Sequence, residues 1–507
     1  MGIFISKDRS MKKLFLLFFI LSALAGQAQR YANPKPFAKD ITVEDMQRHL
    51  YIIAGAGMEG RETATEGQRK AAAYIEKEFK LLELAPGNNN NSYEMYFPVY
   101  ADSLLDLALS INDTGFIAGR DFSVNLADNN PASFRFSEVV FAGYGLSDST
   151  HDDYEGIDVK GKLVMVWSEE VASAVPAGSR RGFSGFTQQM AAMKNGAAAL
   201  LVINKHITPT AVKGNMYVNR YRETQRINTF YISETLAQKM IGPGYAAQKT
   251  GSKPQAYAAN IALSFNKATI TMQSSNVLGI LEGSDLKDEY VVLTAHYDHL
   301  GKRDDTIWYG ADDDGSGTVT ILELAKAFKK AKAAGKGPRR SILFMTVSGE
   351  EKGLWGSDYY SSNPALPLEK TTVNLNIDMI GRIDPSRKHG NSANYIYIVG
   401  DDKLSSDLKP ISEAVNKKYS KLELDYKYND PKDPERIYYR SDHYNFAKKG
   451  VPVIFYFSGL HPDYHKPSDT PDKINYHLMQ KRAQLIFFTA WDMANRNGML
   501  KRDIPLQ

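Results

Sequence analysis

Acids and imidazoles gather where apolar, strand-like runs of this chain stop. Tyr290-Val-Val-Leu-Thr-Ala295 reads as a buried strand and leads into His296 and Asp298 of the motif HYDH. Ser341-Ile-Leu-Phe-Met-Thr-Val347 is a second such run and leads into Glu350 and Glu351 of SGEE. Thr371–Ile377 ends at Asp378, and Val451–Phe457 is followed by His461 and His465. Between the first two runs, Gly310-Ala-Asp-Asp-Asp-Gly-Ser-Gly317 opens a helix. In an open α/β sheet, ligands collect in the crevice outside the carboxyl ends of the strands. Packing alone does not send acids and imidazoles from separate runs to that crevice. The pattern predicts a metal centre serving hydrolysis.

Each motif has a bland reading beside the chemical one. Residues two apart on an extended segment point the same way. Asp298 is therefore expected to bind the far ring nitrogen of His296 and raise its basicity, the common support of a ligating imidazole. The alternative is a surface His beside a solvated Asp. Asp314 is placed to cap the helix beginning near Ser316, but capping accounts for one of three consecutive acids. A dication neutralises the rest, with Asp313 the expected bridge. Of the adjacent acids Glu350 and Glu351, one can bind metal while the other takes a proton from water. Metal binding lowers the pKa of water from about 15.7 to about 7, and a positioned base adds roughly 10²–10⁴-fold. Glu350 is the expected base and Glu351 the expected ligand; an acid-rich helix start is the competing account. A lone Asp378 also suits a turn, and His461 competes with His465.

The elements that must carry these residues follow from the hydrophobic pattern. From Ser274 onward strands and helices alternate, as in a mostly parallel sheet covered by helices. Upstream, Val43–Leu50 and Thr65–Leu82 read as amphipathic helices, and Tyr93–Tyr100 and Leu105–Ile111 as two short strands. From about Phe116 the texture turns to short strands and one helix, with no acid or His at metal-ligand spacing. The expected fold is an α/β domain in two parts, residues 29–115 and 269–507, interrupted by a smaller β-rich insertion over 116–268.

Bulk composition excludes several classes. The chain has 507 residues, 24% charged and 43% hydrophobic, with a net charge of +4. That near balance, without a dense basic stripe, argues against a nucleic-acid partner. Cys is absent, which removes thiolate ligands and leaves His and carboxylates, a set suited to zinc. Met11-Lys-Lys, the run Leu14–Leu21 and the small residues after it have the three regions of a secretory signal. The expectation is an exported, periplasmic or extracellular protein starting at Met11 and cleaved near Ala28, so residues 1–28 are signal. The apolar run is shorter than the roughly 20 residues needed to span a bilayer, and no later run is long enough. No stable membrane span is expected after cleavage.

HYDHLG, GADDDGSG, SGEEKGLWGS, NLNIDMIGR and HPDYHKPSDT together resemble the co-catalytic zinc peptidases of clan MH. That group includes bacterial aminopeptidases, glutamate carboxypeptidase and glutaminyl cyclase. The similarity is strong in the C-terminal half and looser from Gly60-Arg61 to Phe79. VVFAGYG, DVKGKLVMV and KNGAAALLVIN resemble the protease-associated domain inserted in such enzymes. The resemblance implies two Zn²⁺ ions, one held by His296 and Asp378, the other by Glu351 and His465, with Asp313 bridging. It further implies a hydroxide between the ions, Glu350 as base and then acid, Asp298 orienting His296, and Tyr464 stabilising the oxyanion. Ser441-Asp442-His443 matches a recurrent motif of open role. The implied activity is exopeptidase action on peptides, aminopeptidase first. A carboxypeptidase using Arg382 or Arg440, a single-zinc glutaminyl cyclase and a non-catalytic binding protein are the alternatives. Phe183, Phe186, Tyr217 and Tyr221 are candidates to line a substrate path or to fill the insertion's own core.

Overall fold

The computed structural model describes residues 32–149, 151–168, 184–219, 226–251 and 253–506. The signal-like stretch lies outside them, as do Phe183 and Tyr221. The chain divides into two compact units, residues 1–97 with 274–507, and residues 98–273. The boundaries fall at 97/98 and 273/274, where the sequence pattern placed them at 115/116 and 268/269. A physical reason is visible at the first: residues 94–111 form one continuous strand, Glu94–Ile111, instead of two short ones.

In the first unit seven strands follow one another across the sheet, and the short strand Ala85–Pro86 pairs with the first of them in the chain. In chain order they are Gln255–Leu281 (β1, through its last residues), Leu286–His296 (β2), Arg340–Val347 (β3), Thr371–Ile377 (β4), Tyr395–Val399 (β5), Glu423–Asp425 (β6) and Val453–Phe457 (β7). Their order across the sheet is β6-β5-β7-β4-β2-β3-β1. The central strands β7, β4, β2 and β3 are parallel to their neighbours within that group. β1 is antiparallel to β3, and β5 is antiparallel to β7. Residues of β3, β4 and β7 are buried throughout, and β3 and β7 read as largely apolar runs instead of alternating ones. By contrast, β4 alternates Val, Leu and Ile with Asn374 and Asn376, whose amides donate to Thr294 and Ser441. Helices Val43–Ile53, Glu66–Leu81, Gly317–Ala333 and Tyr476–Asn495 supply apolar faces to one core with β2, β3 and β4.

The chain leaves β2, forms Gly317–Ala333, and returns as β3 on one side of β2. It then crosses to β4 on the other side. This reversal opens a crevice at the carboxyl ends of β2, β3 and β4, the expected seat of a ligand site.

The second unit has its own core, with Phe122, Phe141, Met165, Leu201, Phe230 and Leu263 buried. Strands Ala132–Phe141, Leu163–Trp167, Ala199–Asn204 and Asn228–Ser233 pair in that order, all parallel. Helices Gly185–Lys194 and Glu234–Ile241 accompany them. Here Phe186 is exposed and Tyr217 donates its hydroxyl to Asp102, so neither fills this core. Among the described residues, no helix is long and apolar enough to cross a membrane.

One buried cation ties the last long helix to the strand ends. Arg482 is fully buried and donates to the carbonyls of Tyr395, Ile380 and Arg382 at 3.0, 2.7 and 2.7 Å. It thereby holds the segment leaving β4. Arg482→Met would strand these carbonyls in a dry interior, where an unsatisfied group costs about 1–3 kcal/mol. We expect a loss of at least about 3 kcal/mol in urea unfolding monitored by tryptophan fluorescence. A loss below about 1 kcal/mol would mean that water replaces the guanidinium.

Candidate metal centre

Four strand ends deliver the side chains singled out above. His296 is the last residue of β2, Glu350 and Glu351 follow β3, Asp378 follows β4, and His461, Tyr464 and His465 follow β7. Asp313 arrives on the loop before Gly317–Ala333. That loop turns at Gly310, whose φ is +55° and where a Cβ would stand 2.3 Å from the Asp313 carbonyl oxygen. Only glycine allows that approach.

All five expected ligands meet. His296 Nε2 lies 3.1 Å from Asp313 Oδ1 and 3.7 Å from Asp378 Oδ1. On the other side of Asp313, His465 Nε2 lies 3.1 Å from Asp313 Oδ2 and 3.1 Å from Glu351 Oε2. Glu350 Oε2 stands 4.0 Å from His296 Nε2. Asp313 is thus shared between two groups, one containing His296 and Asp378, the other Glu351 and His465.

The three consecutive acids divide their work. Asp314 Oδ1 accepts from Gly317 N at 2.8 Å, the expected cap, and also from Met379 N at 3.1 Å. Asp312 Oδ1 accepts from Gly381 N at 2.6 Å. Both therefore clamp the segment that follows Asp378. Asp469 supports the loop from the far side, its Oδ2 accepting from the backbone N–H groups of Asp312 and Asp313 at 2.9 and 3.2 Å. Asp313 alone turns both its carboxylate oxygens toward the imidazoles.

One expectation needs correction. Asp298 was expected to place its carboxylate on the His296 ring. Instead His296 Nδ1 faces the backbone carbonyl of Asp298 at 3.1 Å, while the nearer carboxylate oxygen stands 3.8 Å away. The carboxylate is occupied elsewhere, accepting from the Thr63 hydroxyl at 2.7 Å and from Glu350 N at 3.2 Å. Strand geometry ends at His296, so the two-residue repeat no longer governs Asp298. His461, the competitor of His465, faces Asp312 Oδ2 at 3.3 Å.

Some functional neighbours were missed. His299 is fully buried with Nδ1 2.7 Å from Glu351 Oε1; the last letter of HYDH was its only signal. Ser441 donates to Asp378 Oδ2 at 2.7 Å and accepts from Asn376 Nδ2 at 2.8 Å, which gives the Ser441-Asp442-His443 motif a supporting place. Tyr464 stacks on His465 with ring centroids 3.8 Å apart, and its hydroxyl accepts from Arg440 at 3.2 Å. Arg382 is held by Asp463 at 2.9 Å.

The electrostatics are those of an acid excess. Burial pulls the His296 imidazole down in pKa, yet the carboxylates of Glu350, Asp298, Asp313 and Asp378 hold it well above its ordinary value. Against the same burial, Asp313 and Glu351 push His465 up to about 10. Burial, with Glu351, Asp378 and Asp442 nearby, keeps the Glu350 carboxyl well above the usual range despite the opposing His296. Asp314 is raised likewise, by burial and then by Asp378.

Donor atoms here crowd together without pairing in hydrogen-bond geometry. His296 Nε2, His299 Nδ1, Asp313 Oδ2, Asp314 Oδ2 and Glu351 Oε1 are buried without hydrogen-bond geometry to any partner. Ligand atoms of His296, Asp314 and Asp378 lie within 4.8 Å of one another, as do those of His299, Asp313 and Glu351. Buried polar groups are rarely left unpaired, and nitrogen and carboxylate donors at this spacing suit zinc. The residues fit the cation.

Residues 276–490 match the profile of peptidase family M28. A probable leucine aminopeptidase of Arthroderma otae is 30% identical over 217 residues, covering 41% of this chain and 56% of that protein. Aminopeptidase YwaD of Bacillus subtilis is 26% identical over 238 residues, covering 45% of this chain and 47% of its own length. The chain thus spans about half the length of these relatives. An aminopeptidase from Aneurinibacillus sp. strain AM-1 shares the fold, with a TM-score of 0.53 at 19% identity over 94% of this chain and 99% of that one. The crevice and the motifs at its strand ends fall within residues 276–490, the segment that is similar to peptidase family M28.

Proposed function

We propose that the chain is an exported, zinc-dependent aminopeptidase whose base is Glu350. The observation that carries this is the position of that carboxylate. Half-buried, its Oε2 stands 4.0 Å from His296 Nε2, next to the two ligand pairs that flank Asp313. Two groups on opposite sides of Asp313 favour two ions over the single zinc of a cyclase. The relatives named as aminopeptidases support the reaction class. The signal-like run from Met11 to Ala28 supports export.

Zinc, when bound, polarises a carbonyl and makes water acidic enough to attack it near neutral pH. Glu350 takes the proton of that water and returns it to the departing amine. A carboxyl group at this place can hold the proton between the two events. Asp298 fixes the Glu350 backbone through its N–H. The Tyr464 hydroxyl, accepting from Arg440, is left to donate its own proton to the carbonyl oxygen as negative charge develops. Met379, Ile437, Phe455, Phe457 and Leu460 line a hollow beside Asp313 and Glu350, suited to an apolar side chain at the free amino end. Arg382 is committed to Asp463, which leaves Arg440 to a carboxypeptidase reading.

Glu350→Gln should keep both zinc ions by elemental analysis while kcat on leucine p-nitroanilide falls by at least roughly 10²–10⁴-fold. Substantial residual turnover would remove Glu350 from its role. Dialysis against a zinc chelator should abolish hydrolysis, and two equivalents of zinc per chain should restore it. One equivalent with cyclisation of an N-terminal glutamine peptide would select the cyclase instead. Zinc at a hundred times its Kd should stabilise the chelated chain by about 2.7 kcal/mol, read as a higher melting temperature.

A further inference from the structure

Residues 60–63 lie outside the matched segment 276–490, yet they run against its centre. Gly301 N donates to Gly60 O at 2.9 Å and His299 N to Arg61 O at 3.2 Å, with a parallel bridge between Glu62 and His299. The approach needs glycine: Gly60 has φ +68°, and a Cβ there would stand 2.1 Å from Gly301 O. The Arg61 guanidinium, fully buried, donates to Tyr297 O at 2.7 Å and Gly310 O at 2.9 Å. These carbonyls belong to the HYDH turn and to the start of the loop that carries Asp313. Thr63, also fully buried, donates its hydroxyl to Asp298 Oδ2.

We propose that Thr63 and Arg61 are positioning residues of the metal centre, Thr63 acting through Asp298 on both His296 and Glu350. The proposal rests on the zinc-peptidase reading above. Asp298 has two tasks at once: its carbonyl faces His296 Nδ1 at 3.1 Å, and its carboxylate accepts from Glu350 N at 3.2 Å. The Thr63 hydroxyl, at 2.7 Å from Oδ2, fixes the rotation of that carboxylate. Without it the carboxylate turns toward another donor, and ligand and base shift together. Arg61 holds the backbone on either side of the same turn, so that the HYDH and GADDD segments keep one spacing.

The test uses Thr63→Val, nearly isosteric but without a donor, and Thr63→Ser, which keeps the donor. Zinc affinity is measured by competition with a chromophoric chelator, alongside kcat and KM on leucine p-nitroanilide and the melting temperature. Supports of metal ligands are typically worth 10–100-fold, so Thr63→Val should raise the zinc Kd and lower kcat by roughly that factor. KM should stay within about twofold, and Thr63→Ser should recover most of both losses. Should Thr63→Val not fold, Thr63→Ala carries the same expectation. Wild-type zinc affinity and kcat in the valine variant would overturn the proposal. So would equal loss in the serine variant tracking a lower melting temperature, which marks a role in stability alone. A wild-type chain that binds no zinc would overturn this proposal and the functional reading together, whereas wild-type zinc binding and turnover with an unaffected valine variant would sink only the first.

Discussion

Carboxylates of Asp298, Asp312, Asp313, Asp314, Glu350, Glu351 and Asp378 crowd the carboxyl ends of three parallel strands, most of them out of water. Two like charges about 4 Å apart repel by about 4 kcal/mol even at an effective dielectric of 20. So dense a cluster persists only where each charge is answered. Some answers are built into the chain: backbone N–H groups for Asp312, Asp314 and Asp469, a hydroxyl and an N–H for Asp298, and the serine hydroxyl for Asp378. What remains without a hydrogen-bond partner includes one carboxylate oxygen each of Asp312, Asp313, Asp314 and Glu351, beside the imidazoles of His296 and His299. The need for cations is thereby focused on one place.

The same logic separates the two members of each acid run. Asp312 and Asp314 have one oxygen each on backbone donors, which ties the loop before Gly317–Ala333 to the segment leaving β4. They are braces, and Asp313 between them is the residue the braces aim. Glu351 is engaged by His299 and His465, whereas Glu350 is raised in pKa by burial and then by Glu351, Asp378 and Asp442. Position relative to the shared carboxylate, not residue type, makes one glutamate a ligand candidate and the other a proton carrier.

Much of this was legible because buried parallel strands leave a strong trace. Largely apolar runs located β2, β3 and β7, the strand-like Thr371–Ile377 located β4, and their ends located His296, Glu350, Glu351, Asp378 and His465. What failed lay just beyond those runs. The rule that residues two apart share a face holds only within a strand, and β2 stops at His296, so Asp298 turned its carboxylate elsewhere and His299 turned in. Reading Tyr93–Tyr100 and Leu105–Ile111 as two short strands implied a break between them that Glu94–Ile111 does not make. The part played by Thr63 had no local signature, since its partner lies 235 positions away.

That separation raises the question of how a chain interrupted by residues 98–273 keeps Thr63 on Asp298. Within the first unit, the two crossing points of the interruption are held side by side. Leu278 N donates to Tyr93 O at 2.7 Å, and Ser275 Oγ donates to Glu94 Oε2 at 2.7 Å. Topologically the second unit is then a long loop closed at its base. Closure entropy grows only as the logarithm of loop length, about 0.6 kcal/mol per doubling. Residues 98–273 are about five doublings of a six-residue loop, so closing them costs only about 3 kcal/mol more. The N-terminal helices can remain part of the core under β2, and residues 60–63 can reach the metal-ligand cluster, because the contacts at 93–94 and 275–278 restore locally what the sequence separates.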